Sequence, residues 1–232
     1  PVVLVVFGGR AQVISGIAER CAAVIQAWYP GEEGGNAVAD ILYGNVSPSA
    51  KLSVSYPNVE LYEPLCYNTS VEKDPRVQWP FGYGLSYTTF EYGDLQISKK
   101  KILPTESVTI SFTVTNTGSR KGDEVAQLYF TDKISSVTVY EKQLRGFERV
   151  TLEPGETKTV TMPLDAQDLA LLDNDMNSVV EPGEFDIFIS ASSTDVRLKD
   201  TIIVTDKDGN VVGCEEYPDD ASKVASKFPA TI

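Results

Sequence analysis

The sequence predicts an α/β segment followed by an all-β sandwich of the immunoglobulin type. Residues 2–7 form a continuous apolar run, which is typical of a strand in a parallel sheet. From Tyr92 onward apolar and polar residues alternate, as they do in strands with one buried face. The pattern changes at residues 79–90, where aromatic side chains surround two glycines. We therefore expect two halves of different architecture.

Composition narrows the classes of function. The chain has 232 residues, enough for one large or two small domains, and 42% of them are hydrophobic, enough for real cores. Acidic residues outnumber basic ones by 33 to 20, giving a formal charge of −13. This charge disfavours nucleic acid and anionic membrane surfaces as partners. No apolar run reaches membrane-spanning length.

The sequence contains no histidine, which excludes a Ser-His-Asp triad, a Cys-His dyad and His-ligated zinc. The three cysteines, Cys21, Cys66 and Cys214, show no CxxC spacing, and their odd number argues against a complete disulfide framework. Cys21 lies in an apolar run, so we expect it to be a small buried hydrophobe.

The first half reads as alternating strands and helices. The run at 2–7 predicts a strand buried on both faces, and Gly8-Gly9 predicts a tight turn, since neither GxGxxG nor GK[ST] is present. A short helix follows, with apolar residues at helical spacing: Ile14, Ile17, Ala18 and Cys21. Residues 23–28 could continue this helix or form a second strand. We favour the strand, because Pro30-Gly31 then makes a turn.

A second helix is predicted after that turn. Asn36 is a plausible N-cap, and Gly44 is placed to end the helix. Its apolar stripe would comprise Ala37, Val38, Ile41 and Leu42. Residues 51–56 predict a strand that ends at Pro57. The β-α-β-α-β pattern of residues 1–57 is short for a doubly wound sheet of about five strands. We therefore expect the last part of a larger α/β layer, and the opening on Pro1 without a basic n-region also suggests a piece of something longer.

Residues 79–90, here called the glycine-aromatic motif, are predicted to form a seam between the halves. Gly82 and Gly84 allow sharp turns, and the aromatic rings favour burial. The alternative is an aromatic-rich surface loop. Residues 58–78 predict an irregular excursion. Two glycosylation sequons, at Asn45 and Asn68, are best explained by chance.

About seven short strands are predicted in the second half. Apolar and polar residues alternate along 108–114, which predicts a strand, and a turn is predicted at 116–118. Further strands are predicted near 125–130, 144–150, 157–164, 185–189 and 196–204. Glu153-Pro154-Gly155-Glu156 suits a type II turn, and Glu181-Pro182-Gly183-Glu184 predicts a second one. A further turn is expected at 206–210, and the remaining tail is expected to wrap the surface.

Few residues suggest chemistry. Glu32-Glu33 could serve as an acid and base pair, but acids at a helix N-terminus explain them better. Asp173, Asp175 and Asn177 resemble a calcium loop, in which Glu184 occupies the twelfth position, yet Ser178 stands at the sixth position, where an EF-hand has glycine. The start of a strand explains the basic and aromatic segment Gln143-Leu144-Arg145-Gly146-Phe147 better than a ligand site does. We therefore predict no catalytic, cofactor-binding or metal-binding residue and no cofactor.

Several motifs together resemble glycoside hydrolase family 3, the family of β-glucosidases and β-xylosidases. Residues 27–44, with Trp28-Tyr29-Pro30-Gly31-Glu32-Glu33-Gly34-Gly35-Asn36, and residues 47–52 resemble its C-terminal part. Residues 81–90 match a second signature of the family. Residues 114–118, 122–129, 144–147 and 152–156 resemble its fibronectin type III-like domain. The resemblance covers nearly the whole chain from Val2 to about Val204.

The resemblance implies the end of a three-layer α/β sandwich at 1–90, a fibronectin type III-like domain at 91–205 and a tail at 206–232. Family members are retaining enzymes whose nucleophile is an Asp in a Ser-Asp-Trp-like motif on a barrel, and no such motif occurs here. Their acid/base Glu usually lies upstream of the strand that here begins near Val2. The Glu32-Glu33 loop is then architectural, and Arg10 is expected to bond carbonyls or carboxylates near a domain contact.

This chain alone is thus expected to be an inactive C-terminal portion of a retaining β-glycosidase. Its expected partners are the catalytic barrel and the remainder of the sandwich domain, with a β-glycoside substrate in the intact enzyme, and its expected location is periplasmic or secreted. Two alternatives stay open. One is a stand-alone carbohydrate-binding or adhesion module, which needs Trp79 and Tyr83 exposed and coplanar; the other is a purely structural interaction domain.

Overall fold

The computed structural model describes residues 1–61, 65–68 and 74–211. The first half contains, in order, strand β1 (Val3–Phe7), helix α1 (Ser15–Ala18), strand β2 (Ala23–Trp28) and helix α2 (Gly34–Leu42). Strands β1 and β2 pair in parallel, with Val3 opposite Ala23. This pairing confirms that residues 23–28 form a strand and do not extend α1.

The prediction that β1 is buried on both faces is wrong for this chain. Val6 is buried, but 43% of Val3 and 56% of Phe7 are exposed. The reason is that the sheet has only β1 and β2 within the described residues, so apolar side chains remain uncovered. Cys21 is half-buried rather than buried, and its Sγ donates to the Ile17 carbonyl at 3.3 Å.

Helix α2 ends as predicted but begins earlier than predicted. Gly44 has φ of +76°, and the N–H of Asn45 donates to the Asp40 carbonyl at 2.8 Å, which is a Schellman ending. Asn36 is not the N-cap, because the helix begins at Gly34 and Glu33 occupies the cap position. The Asn36 amide instead donates to the Glu33 carboxylate at 2.5 Å.

The predicted strand at 51–56 is also wrong. Only Tyr56–Pro57 forms a strand, β3, which pairs antiparallel with β4 (Val77–Trp79). Upstream, Leu52 donates its N–H to the Tyr83 carbonyl at 2.8 Å and accepts the N–H of Gly82 at 2.7 Å. These bonds tie the segment to the glycine-aromatic motif instead of to a regular ladder. The sequon at Asn68 extends to residues 69 and 70, which lie outside the described residues.

The second half is a two-sheet β-sandwich. Its strands are β5 (Phe90–Ile97), β6 (Lys101–Ile102), β7 (Ser107–Asn116), β8 (Gly122–Asp132), β9 (Gln143–Leu152), β10 (Thr157–Asp165), β11 (Leu171–Leu172), β12 (Ser178–Val179), β13 (Gly183–Ser190) and β14 (Val196–Val204). One sheet has the order β10-β7-β5, and the other has the order β6-β14-β13-β8-β9. Strands β11 and β12 form a separate small pair, after a 3-10 helix at Ala166–Leu169. The sandwich prediction is confirmed.

The core lies between these sheets. The predicted alternation of β7 is confirmed: its inward residues are at most 2% exposed, namely Val108, Ile110, Phe112 and Val114. They face buried residues of β13, namely Phe185, Ile187 and Ile189, within the same hydrophobic cluster. This cluster is what makes the sandwich a rigid support for the first half.

One of the two predicted Pro-Gly turns forms. Gly155 has φ of +76°, as a type II turn requires. Gly183 does not lie in such a turn, because it is the first residue of β13 and pairs with Val204. The turn after Val204 forms as predicted, with Gly209 at φ of +83°. The tail from residue 212 lies outside the described residues, within which no helix is both long and apolar enough to cross a membrane.

Candidate functional site at the junction of the two halves

The glycine-aromatic motif joins the two halves through its backbone. Gly82 has φ of +77°, and its carbonyl accepts a hydrogen bond from the Gln127 amide at 3.1 Å. A Cβ atom on Gly82 would lie 2.1 Å from Gln127 Oε1, and one on Gly84 would lie 2.4 Å from the Ala50 carbonyl oxygen. Only glycine fits either position without displacement of neighbouring atoms.

The motif contacts the first half through its aromatic rings and the second half through its backbone. Trp79 meets Tyr56 edge to face, with centroids 5.2 Å apart, and Phe81 stacks on Tyr67 at 4.3 Å. The Phe81 carbonyl accepts the backbone N–H of Ser193, beyond β13, at 2.9 Å. The motif is therefore a packed seam, and the alternative of an exposed aromatic loop is wrong.

A nearly buried ion pair crosses the junction. Lys51 Nζ lies 2.9 Å from the carboxylate of Glu124 on β8, and their side chains are only 14% and 7% exposed. Lys51 also donates to the Gly84 carbonyl at 3.2 Å. Removal of either partner would leave an uncompensated charge in a poorly solvated place. The sequence offered no signal for this pairing, since the residues are far apart along the chain.

The C-terminal end of α2 is held by the glycine-aromatic motif and by Arg120 of the second half. The Tyr87 hydroxyl donates to the Ile41 carbonyl at 2.7 Å, and Arg120 donates to the Gly44 carbonyl at 3.2 Å. Ser47 Oγ accepts the Tyr87 N–H at 3.1 Å. The Arg120 guanidinium also lies over the Tyr87 ring, 5.8 Å from its centroid. These bonds add side-chain donors to a carbonyl in the last turn of α2 and to the carbonyl of Gly44, which follows the helix.

The candidate carboxylates of the first half do not form a site. Glu32 and Glu33 are both exposed, and Glu33 sits at the start of α2. Arg10 is exposed, and within the described part of the chain no hydrogen bond or ion pair involves it. Its expected role near a domain contact stays a prediction.

In the calcium-like loop, the Asp173 carboxylate accepts hydrogen bonds from N–H groups of the loop itself. The Asp173 carboxylate accepts the N–H groups of Asp175 at 2.9 Å and Asn177 at 2.8 Å, and these hydrogen bonds hold the pKa of Asp173 below its usual value. Asp206 accepts the N–H groups of Asp208 and Asn210 in the same way. Among residues 1–61, 65–68 and 74–211, no group of three or more metal-ligating side chains comes together.

A cleft of about 620 Å³ lies beside the junction, between the β8–β9 connection and the end of β13. Tyr67 lines it, and the same Tyr67 ring stacks on Phe81 of the motif. Asp132 also lines it; burial, reinforced by the nearby charge of Glu181, raises the pKa of Asp132 to about 6. Sequence reasoning missed this cleft, because its walls come from segments far apart in the chain.

Comparisons with known proteins match both halves. Residues 1–87 match the glycosyl hydrolase family 3 C-terminal domain, and residues 124–193 match the fibronectin type III-like domain. A β-xylosidase of Formosa agariphila is 41% identical over 89% of this chain and 30% of its own length. A periplasmic β-glucosidase of Salmonella typhimurium is 39% identical over 85% of this chain and 28% of its own length.

The fold agrees with solved structures as well. A β-glucosidase structure from Erythrobacter marinus superimposes with a TM-score of 0.81 at 38% identity, covering 88% of this chain and 28% of that one. The matches define a glycoside hydrolase C-terminal α/β segment joined to a fibronectin type III-like domain. The chain is the C-terminal part of a glycoside hydrolase family 3 protein, and it spans less than a third of the length of these relatives.

Proposed function

We propose that the intact protein is a retaining β-glycosidase that removes terminal β-linked glucose or xylose, and that this chain is its C-terminal scaffold. The observation that carries the proposal is the match of 89% of the chain to a β-xylosidase and 85% to a β-glucosidase. A periplasmic or secreted location is part of the same proposal, supported by the periplasmic relative.

The two catalytic carboxylates belong to other parts of the intact protein. Retaining hydrolysis requires two carboxyl groups about 5 Å apart on either side of the glycosidic bond. The sequence has no Ser-Asp-Trp-like motif, and Glu32 and Glu33 lie on an exposed helix start. We assign this chain the boundaries 1–90, 91–205 and 206–232 expected from the resemblance.

The scaffold role needs a partner surface, and the first half offers one. Large apolar side chains there are more than 40% exposed, including Val2, Val3, Phe7, Ile17, Tyr29, Leu42, Tyr43 and Val46. Exposed apolar side chains in this number favour burial against another domain. We propose that the catalytic barrel and the remainder of the sandwich domain cover them.

A carbohydrate-binding module built on Trp79 and Tyr83 has less support. Both rings are half-buried, and Trp79 meets Tyr56 in a T-shaped arrangement with centroids 5.2 Å apart. A flat sugar-binding platform needs exposed ring faces, and neither ring is fully exposed.

The test is hydrolysis of nitrophenyl β-glucoside and β-xyloside by the intact protein, followed by NMR of the first-formed sugar. Retention gives the β-anomer. Glu32→Gln and Glu33→Gln in the intact protein should change kcat by less than about twofold, because neither carboxylate reaches the reacting bond. An α-anomer, or no cleavage of any β-glycoside, would contradict the proposal.

A further inference from the structure

The cleft beside the junction borders the packed seam, since Tyr67 and Ser193 line it and both contact Phe81. At about 620 Å³ it falls within the usual size range of small-molecule sites. A second cavity of about 660 Å³ shares part of its wall, because Tyr140 and Glu141 line both. The two cavities thus flank the β8–β9 connection and provide length for a chain-like ligand.

The charges of the described residues that line the cleft are equal in number. Two of these residues are acidic, Asp132 and Glu141, and two are basic, Lys133 and Lys142. Lys133 is further neutralised by Glu184, whose carboxylate lies 2.8 Å from its Nζ. A balanced lining in a chain of net charge −13 favours neither a phosphate nor a polyanion. The ligand that fits is neutral and polar.

Aromatic rings supply the apolar part of the wall. Tyr140 is 52% exposed at the boundary of the two cavities, so its ring is accessible to a ligand. Phe188 also lines the cleft, with Lys142 Nζ 4.9 Å and Lys199 Nζ 5.2 Å from its ring centroid. Tyrosine suits a ligand with both C–H faces and hydroxyl groups, because it combines an apolar ring with a polar hydroxyl.

A buried hydroxyl without a partner lines the same cleft. Ser193 is only 3% exposed, and within the described part of the chain its Oγ has no hydrogen-bond partner. Its backbone is fully used: the N–H donates to the Phe81 carbonyl and its carbonyl accepts from Lys142 Nζ, each at 2.9 Å. A buried hydroxyl costs free energy unless something pairs with it, so it marks a place for a ligand hydroxyl.

We infer that this cleft is a binding site for a neutral oligosaccharide, which Tyr140 stacks and Ser193 hydrogen-bonds. The choice of a β-linked glucan or xylan fragment rests on the proposed function. The role of the site is to hold glycan beside the junction.

The experiment is an NMR titration of the isotopically labelled chain with xylotriose and with cellotriose, and with trigalacturonic acid as the anionic comparison. We expect saturable shifts of Tyr140, Lys142 and Ser193 amides with at least one neutral trisaccharide. Tyr140→Ala should weaken binding about tenfold, the loss typical of one aromatic contact. Tyr29→Ala is the matched control, since Tyr29 is 82% exposed and does not line the cleft.

Ser193→Ala tests the buried hydroxyl, with Ser190→Ala as its control. Ser190 is also fully buried with an unpartnered Oγ, but it does not line the cleft. Both variants should keep the melting temperature, since neither loses a hydrogen bond within the chain. Only Ser193→Ala should weaken sugar binding, by about threefold to tenfold.

The outcomes separate this inference from the proposed function. Absence of binding by both neutral sugars, preference for the trigalacturonate, or equal losses in the controls would overturn it. Binding that depends on Tyr140 would support it even if the intact protein hydrolysed no β-glycoside, because the titration involves no turnover. Conversely, hydrolysis by the intact protein without such binding would support the proposed function and overturn the inference of a sugar site in the cleft.

Discussion

At the scale of single residues, the backbone conformation of Gly82 determines how the chain turns at the junction. Its left-handed φ of +77° and its closeness to Gln127 leave no room for a side chain. Gly82→Ala should lower the free energy of unfolding by about 2–4 kcal/mol, from backbone strain plus displacement of the Gln127 amide. Chemical denaturation measures this loss.

Gly35 provides the control for that substitution. It lies in α2 with ordinary φ, and a Cβ there meets no atom within 4 Å. Gly35→Ala should be neutral or stabilise the chain by up to about 1 kcal/mol. Equal destabilisation by the two variants would mean that the space around Gly82 is not restrictive.

Asp132 should make stability depend on pH. Burial raises its pKa in the folded chain from 3.8 to about 6, so between these values the folded chain holds a proton that the unfolded chain has released. The free energy of unfolding therefore falls as pH rises through this window. Asp132→Asn should remove on the order of 1 kcal/mol of that fall, after allowance for partial solvent screening.

Denaturant melts at pH 4.5 and 7.5 would measure the slope for the parent chain and for Asp132→Asn. Glu181→Gln removes the neighbouring negative charge that helps to raise the Asp132 pKa, and it should reduce the slope in part. An unchanged slope in Asp132→Asn would show that this carboxyl does not titrate differently in the two states.

At the scale of secondary-structure elements, β7 organises the sandwich because its alternation matches its neighbours. Val160 and Met162 of β10 pair with Phe112 and Ile110, so both strands turn their apolar residues toward the same core. Phe112→Ala should cost about 3–5 kcal/mol through the cavity it leaves. Thr109→Ala, on the exposed face of the same strand, should change stability by less than about 0.5 kcal/mol.

The hydrogen bond from Tyr87 to the end of α2 can be tested without a change in the core. Tyr87→Phe removes the hydroxyl that donates to the Ile41 carbonyl at 2.7 Å. We expect a loss of about 1 kcal/mol and faster hydrogen exchange of the α2 amides. Tyr43→Phe is the control, since Tyr43 is 85% exposed. Unaltered exchange in Tyr87→Phe would show that the helix end does not depend on this bond.

Elements with a complete local pattern were predictable from the sequence, and elements set by tertiary contacts were not. Residues 23–28 and 196–204 form strands with the predicted bounds. Residues 51–56 alternate like a strand, but Leu52 is drawn into hydrogen bonds with Gly82 and Tyr83. Gly183 repeats the Glu-Pro-Gly-Glu sequence of Gly155, yet pairing with Val204 places it in a strand.

The same distinction holds for the sites. The glycine-aromatic motif was recognisable because its glycines and rings are contiguous. The ion pair of Lys51 with Glu124 and the cleft around Tyr140 and Ser193 were not, because each brings together segments that are distant in sequence. Neither arrangement leaves a spacing that sequence reasoning can detect.

At the scale of the whole molecule, the two halves are unequal in how completely they bury their apolar residues. The sandwich encloses a continuous core, whereas the buried cluster among the described residues of the first half is small and comprises Val6, Ile14, Ala18 and Tyr56. A half with so small a core depends on the packed junction for its order. This inequality is the physical basis of the proposed scaffold role of the chain.

The most direct test of that assignment is hydrolysis of nitrophenyl β-glucoside and β-xyloside by this purified 232-residue chain, with its mass verified. We predict no turnover above the buffer rate, because the sequence lacks a Ser-Asp-Trp-like motif and its candidate pair, Glu32 and Glu33, lies exposed at the start of α2. Clear turnover that Glu32→Gln or Glu33→Gln abolishes would contradict the account, since the loop assigned to scaffolding would then be an active site.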